Sequence, residues 1–181
     1  KTVLLASLAL FPALLAGLLE DWTQKVSVGQ RMLATLLSGL LATCFLGLSI
    51  HRLGLPVLDG VLQWWPWLGM GLAVLAITGL PHAFNIIDGY NGLAGVVVAL
   101  IALALAHVAL QVGDRAVAAL MMALVGSTAG FLFWNYPRGQ LFAGDAGAYL
   151  WGSVVALGAI LLVQRNPQVS PWFPVLLLIY P

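Results

Sequence analysis

The residues best suited to chemistry form a short polar run between two long apolar stretches. The run reads Asn85-Ile-Ile-Asp88-Gly89-Tyr-Asn91-Gly92-Leu93 and holds a carboxylate, two amides and two glycines. Only 7% of the residues in this chain are charged, so polar groups gathered in this way are unusual in it. In a membrane protein, ionisable groups at such a place indicate a functional site by default.

The run has the spacing of a binding loop. Asn85 and Asp88 are three positions apart, so they share a face if the turn is helical. Gly89 and Gly92 permit positive φ angles or a close approach of the backbone to a ligand. The structural alternative is a helix cap, with Asp88 or Asn91 at the start of the next helix. A cap accounts for one of these residues and leaves the others unexplained.

A second cluster is the acidic pair Glu20-Asp21. Adjacent carboxylates repel each other unless a cation or a proton relieves them. Such a pair suits Mg²⁺, a hard cation that prefers carboxylate oxygens and keeps water and substrate phosphates as its other ligands. Taken alone, the pair is better explained as a solvated helix end with Lys25 as a local partner.

A third cluster runs from Asn135 through Arg138 to Gly144-Asp145-Ala-Gly147. Asp145 lies just before the next apolar stretch, so it could be either a functional carboxylate or a helix N-cap. Arg138 offers a fork for phosphate, or else it anchors the chain at the membrane interface. His82 flanks the polar run and could contact a substrate, although a structural role is favoured for it.

The elements that position these clusters are membrane-spanning helices. The chain is 62% hydrophobic with a mean hydropathy of +1.03, which excludes an ordinary water-soluble domain. Apolar runs of roughly 18 to 22 residues cross about 30 Å of hydrocarbon as helices, the form that pairs every backbone group. We predict an all-α, polytopic membrane helix bundle with six near-complete spans and a partial seventh, at roughly 2–19, 31–50, 64–81, 93–112, 116–134, 148–163 and 172 onward.

Each span reverses the side of the membrane, so the loops at 20–30, 82–92 and 135–147 face one side. Four of the six acidic residues fall in these loops, beside helix ends, whereas Asp59 and Asp114 face the other side. We therefore expect the three clusters to converge on one cationic or phosphate-bearing ligand. The basic residues are divided about evenly, so the positive-inside rule leaves the orientation open. A net charge of +1 without a basic tail predicts no nucleic-acid partner.

In their order along the chain, the three clusters resemble the polyprenyl-phosphate hexose-1-phosphate transferases of glycosyltransferase family 4. This family contains phospho-N-acetylmuramoyl-pentapeptide transferase and undecaprenyl-phosphate N-acetylglucosamine-1-phosphate transferase. The resemblance rests on Phe84 to Leu93 and on Phe142-Ala-Gly144-Asp145-Ala-Gly147, and it extends to Leu19-Glu20-Asp21. It covers essentially the whole chain. The motifs at Phe84–Leu93 and Phe142–Gly147 are specific, whereas the acidic pair alone is a weak signal.

The resemblance implies a Mg²⁺-dependent transferase of the bacterial inner (cytoplasmic) membrane, with Mn²⁺ as a substitute metal. It would move a sugar-1-phosphate from a UDP-sugar, best matched by a UDP-N-acetylhexosamine, to polyprenyl (undecaprenyl) phosphate. UMP would be released at the cytoplasmic face, in the synthesis of cell-envelope polysaccharides. The bilayer is then a partner, and family dimers make a homodimer an expectation.

The resemblance also implies residue roles. Asp145 would bind Mg²⁺, with Asp21 near the metal as a second ligand. The catalytic acids would be Glu20, Asp21 and Asp88. Contacts with the substrate would come from Asn85, Gly89, Asn91, Asn135 and Arg138.

The chain departs from the family's usual pattern at Glu20 and Asn91, where Asp is common, and at Ala148, where Ser is frequent. The family's N-terminal spans and a later His-rich cytoplasmic loop also lie outside these 181 residues. We therefore expect residues 1–181 to be a single transmembrane transferase domain, truncated at both ends. Alone it is expected to be inactive, whereas the longer parent is expected to be active.

Two other classes of protein compete with this interpretation. An intramembrane aspartyl protease would use Asp145 and a second aspartate, but it requires both to face each other within the membrane. A transporter would favour carboxylates in mid-span and broken helices at the midplane. Both are disfavoured because the acidic residues fall at the predicted span ends.

Overall fold

The computed structural model describes residues 2–181 and consists of α-helices, with no strand in that range. This confirms the predicted all-α fold. In chain order the helices are α1 (Thr2–Thr23), α2 (Val28–Leu46), α3 (Pro56–Trp64), α4 (Pro66–Ile87), α5 (Leu93–Gln111), α6 (Arg115–Asn135), α7 (Gly144–Arg165) and α8 (Trp172–Leu177).

Six of these helices are long and apolar enough to cross a membrane, namely α1, α2, α4, α5, α6 and α7. The prediction of six spans is therefore confirmed, and α8 corresponds to the partial seventh. The helix α3 was not predicted. It begins at Pro56, which suits the first helical position because proline has no N–H to leave unpaired. Asp59 fixes the turn before α3, since its carboxylate accepts the N–H groups of Leu53 and Gly54.

Several predicted helix boundaries were wrong, and the corrections at α1, α4 and α7 affect the site. The helix α7 begins at Gly144 instead of residue 148, so Asp145 is helical. The helix α1 continues to Thr23, so Glu20 and Asp21 lie in its last turn. The helix α4 continues through Pro81 to Ile87, so Asn85 is helical. Proline normally disrupts a helix interior. Here Pro81 is buried against α7, where Gly152 leaves no side chain to oppose it.

The helix α7 lies at the centre of the bundle and is the most buried of the six membrane-length helices. It contributes to both apolar cores, one formed with α5 and α6 and the other with α1, α2 and α4. Gly17 of α1 allows close packing at its start, since a Cβ there would lie 2.5 Å from the Cα of Ala146. The first turn of α7 is therefore surrounded by the ends of α1, α2 and α4.

The acidic residue nearest the other end of α7 has a structural explanation. Asp114 is buried and caps α6 by accepting the N–H of Val117. Its carboxylate also accepts a hydrogen bond from Asn166 and pairs with Arg165 at 3.4 Å. This end of the bundle is held together by local polar contacts, which leaves the end with the acidic pair as the candidate site.

Candidate active site

Asp145 lies at the centre of the polar cluster. It is the second residue of α7, and its side chain is 17% exposed. Its Oδ1 accepts a hydrogen bond from the Asn85 amide at 2.7 Å, and its Oδ2 accepts one from Arg31 Nη1 at 2.5 Å. The Tyr149 hydroxyl also donates to Oδ2, at 3.3 Å. The carboxylate therefore joins three helices, and it does not cap its own helix.

The cap of α7 comes from Asp21, in the last turn of α1. Its two carboxylate oxygens accept the N–H groups of Asp145 at 2.8 Å and of Ala146 at 3.0 Å. An anion at this position also interacts favourably with the helix dipole. Gly144, with φ of +64°, permits the approach, because a Cβ there would lie 2.5 Å from Asp21 Oδ2. Gly144, directly before Asp145, thus lets the Asp21 side chain reach the first turn of the helix that carries Asp145.

Glu20 has a different, local role. Its Oε2 accepts the N–H of Val26 at 2.8 Å, which closes the turn between α1 and α2. Within residues 2–181, neither Glu20 nor Asp21 forms an ion pair with Lys25. The alternative of a solvated helix end is therefore wrong about Lys25, which is not the partner of either carboxylate.

Asp88 ends α4 and is half-buried. Among the described residues, none donates a hydrogen bond to its carboxylate, and burial raises the pKa of that carboxyl. The N-cap of α5 is Gly92, with φ of +83°, so the alternative that Asp88 or Asn91 is the N-cap is wrong. Asn91 instead donates to the carbonyl of Pro137 at 3.1 Å. Within residues 2–181, Asp88 is thus a carboxyl group without a hydrogen-bond donor, three positions after Asn85.

The third cluster contains one buried and one exposed candidate. The amide of buried Asn135 accepts the N–H of Gly92 and donates to the carbonyl of Leu141, so both of its ends are used structurally. Arg138 is exposed and forms no ion pair within the described range. The predicted substrate contacts of Asn135 and Arg138, like those of Gly89, stay predictions.

Sequence reasoning missed two groups on Asp145 and gave a structural role to a third residue nearby. Arg31 is one of several basic residues near span ends, so the sequence alone gives it no distinct role. Tyr149 lies four residues after Asp145, a spacing that places both on one helix face. His82 packs edge-on against the Tyr149 ring, with centroids 5.1 Å apart. Its Nε2 lies 3.0 Å from the Thr35 hydroxyl. The favoured structural role of His82 agrees with these contacts.

The donor set suits a metal that arrives with its ligand better than a permanently caged one. In the part of the chain described, no three His, Cys, Asp or Glu side chains are placed to hold a metal ion. Mg²⁺ commonly takes only one or two carboxylates, together with water and substrate phosphates. Asp145 offers one carboxylate of this kind, whereas the oxygens of Asp21 are directed to the α7 backbone.

Six membrane-length helices with acidic, amide and guanidinium groups gathered at one end define a multi-pass membrane protein with a polar site at that end. Comparison with models of known protein families shows which family this membrane protein belongs to. The model of glycosyl transferase family 4 matches residues 3–163, and the chain belongs to this family.

Curated relatives agree with this assignment. A phospho-N-acetylmuramoyl-pentapeptide-transferase from Desulforamulus reducens is 33% identical over 165 residues, which cover 84% of this chain and 48% of the relative. One from Chlamydia pneumoniae is 38% identical over 121 residues, 62% of this chain and 35% of the relative. A probable undecaprenyl-phosphate N-acetylglucosaminyl 1-phosphate transferase from Bacillus subtilis is 32% identical over 100 residues, 55% and 28% respectively. The chain thus spans about half or less of the length of these relatives.

Proposed function

We propose that this chain belongs to an enzyme that transfers N-acetylhexosamine 1-phosphate from a UDP-sugar to polyprenyl phosphate and releases UMP. The observation that carries the proposal is the meeting of Asp21, Asn85 and Asp145 at one end of the bundle. The names of the relatives, which include an undecaprenyl-phosphate transferase, support this substrate class.

In the proposed reaction, an oxygen of the lipid phosphate bonds to the phosphorus linked to the sugar. The bond between that phosphorus and the bridging oxygen breaks, and the bridging oxygen leaves as part of UMP. A lipid phosphate is already ionised near neutral pH, so orienting it matters more than removing a proton. A site at the end of membrane-spanning helices suits this task, because the polyprenyl tail can lie along apolar helix surfaces.

We propose that Asp145 binds the metal and that Asp21 holds Asp145 in position. Bound Mg²⁺ would supply charge neutralisation at the diphosphate and on the leaving UMP. Asp21 holds the first turn of α7, and Asn85 orients the carboxylate through Oδ1. A direct bond from Asp21 to the metal remains a further prediction of the family resemblance.

Asp88 is the proposed acid–base group. Its carboxyl group is half-buried without a donor among the described residues, and its raised pKa makes it a better proton acceptor than an exposed aspartate. Asp88 would accept any proton still on the lipid phosphate as that phosphate reaches the site. Glu20 would affect catalysis indirectly, by closing the turn between α1, which carries Asp21, and α2.

We further propose that the site faces the cytoplasm from the bacterial inner membrane. A UDP-sugar is a water-soluble anion that must reach the site from the aqueous side on which it is made. The charges of the loops do not decide the orientation, so the proposal rests on substrate access and on the family resemblance.

The direct test is UMP release by the intact parent protein. UDP-N-acetylglucosamine, polyprenyl phosphate and Mg²⁺ should together give UMP, and omitting the lipid or chelating the metal should stop its release. Absence of UMP release with several UDP-N-acetylhexosamines would contradict the proposal.

An aspartyl protease or a transporter is disfavoured, since none of the six acidic residues lies in the middle of a membrane-length helix.

A further inference from the structure

Arg31 is the cation that contacts the carboxylate of Asp145 within residues 2–181. It lies in the first turn of α2, and its Nη1 donates to Oδ2 of Asp145. Asn85 and Tyr149 donate to the same carboxylate from α4 and α7. Asp145 therefore keeps two hydrogen-bond donors even if Arg31 moves away from it.

The guanidinium of Arg31 is not fully used by this ion pair. Its Nε is buried and has no hydrogen-bond partner among the described residues, although the whole side chain is 20% exposed. A buried N–H without an acceptor is unfavourable. The Nε and Nη groups of arginine form a planar fork that fits two oxygens of a phosphate. A phosphate that reached Arg31 would supply the missing acceptor.

A cation on Asp145 would change what Arg31 can bind. Two positive groups on one carboxylate repel each other strongly where water is partly excluded. The repulsion falls if Arg31 turns to an anion that arrives together with the cation. A nucleotide diphosphate is such an anion, since it carries divalent cations on its own oxygens.

We propose that Arg31 exchanges partners, from Asp145 in the ligand-free protein to a phosphate oxygen of the nucleotide sugar once Asp145 holds a divalent cation. This rests on the proposed function, which supplies the diphosphate substrate. Arg31 is then a substrate-binding residue whose ion pair weakens cation binding until the nucleotide arrives. Cation and nucleotide each strengthen the binding of the other, as linkage requires.

The test measures binding, without turnover, on the intact parent protein in nanodiscs. Mn²⁺ affinity is followed by electron paramagnetic resonance, and the affinity for UDP at fixed Mn²⁺ by calorimetry. The variants are Arg31→Gln and Arg31→Lys. The matched control is Arg115→Gln, which removes an exposed arginine at the start of α6, at the other end of the bundle.

Arg31→Gln should bind Mn²⁺ alone about tenfold more tightly than the wild type, and UDP with Mn²⁺ about tenfold more weakly. Arg31→Lys keeps the charge but loses the fork, so its Mn²⁺ affinity should stay near that of the wild type while UDP binding weakens. Arg115→Gln should match the wild type in both measurements. If Arg31→Gln does not fold, the UDP affinity of Arg31→Lys decides the question.

Unchanged or weaker Mn²⁺ binding by Arg31→Gln would overturn the exchange, because a residue that only orients Asp145 gives that result. Wild-type UDP affinity in either Arg31 variant would overturn it as well, as would UDP binding by the wild type that does not strengthen when Mn²⁺ is added. Failure of the proposed function is seen separately. A wild type that shows the predicted binding but releases no UMP with polyprenyl phosphate refutes the transfer and leaves the exchange intact.

Discussion

Replacing Gly144 with alanine tests the contact between Asp21 and the start of α7. Gly144 has φ of +64°, and a Cβ there would lie 2.5 and 2.6 Å from the two carboxylate oxygens of Asp21. The left-handed conformation costs a residue with a side chain about 1–2 kcal/mol. Displacing the capping carboxylate adds about 0.5–2 kcal/mol. We therefore expect Gly144→Ala to destabilise the protein by about 1.5–4 kcal/mol.

The same change should slow transfer, because Asp145 is the next residue along the chain. A misplacement of about 1 Å in a catalytic arrangement lowers the rate by about 10²-fold. Thermal unfolding in detergent measures the first effect, and UMP release by the intact parent protein measures the second.

A matched control separates backbone strain from the clash with Asp21. Gly113 has φ of +80°, but a Cβ there would meet nothing within 4 Å. Gly113→Ala should therefore show only the strain of about 1–2 kcal/mol, with nearly normal transfer. If Gly144→Ala and Gly113→Ala lose the same stability and the same activity, the reasoning about Asp21 is refuted.

Two further substitutions test single residues. Asp88→Asn should lower UMP release and stabilise the protein at neutral pH. Burial raises the pKa of Asp88, so its carboxyl group contributes most to stability when it is protonated. This contribution falls as the pH rises from the ordinary pKa of an aspartate towards the raised pKa. Unfolding curves from pH 4 to 8 check this, and an identical pH dependence in the variant would contradict it. Asn135→Ala should cost about 2–4 kcal/mol because the buried N–H of Gly92 and the carbonyl of Leu141 lose their partner. If Asn135→Ala unfolds in denaturant with the stability of the wild type, these hydrogen bonds do not contribute to stability.

The sequence was sufficient to predict the six spans and the end at which the acidic clusters meet. Spans follow from the length of each apolar run. The shared face follows from counting reversals of the chain, which the unpredicted helix α3 leaves unchanged since it is too short to cross. Both inferences depend on features that are local in sequence.

The contacts within the site could not be predicted in this way. Arg31 and Asp145 are 114 positions apart, and Asp21 lies 124 positions before the N–H that it caps. These pairings depend on how α1 and α2 pack against α7, which hydropathy does not report. The helix ends were also misplaced, because α1 and α4 continue past their apolar stretches into the polar site. Pro81 added to this error, since its cost in a helix depends on a glycine in another helix.

Asp145 is the proposed metal-binding residue for phosphoryl transfer from a UDP-sugar to a lipid phosphate. The most direct measurement is UMP release by the intact parent protein with polyprenyl phosphate and Mg²⁺, compared between the wild type and Asp145→Asn. Asparagine keeps the size of the side chain and removes the charge that a divalent cation requires. We predict lipid-dependent UMP release by the wild type and its loss, by about 10²–10³-fold, in the variant. Near-normal release by Asp145→Asn would contradict the account.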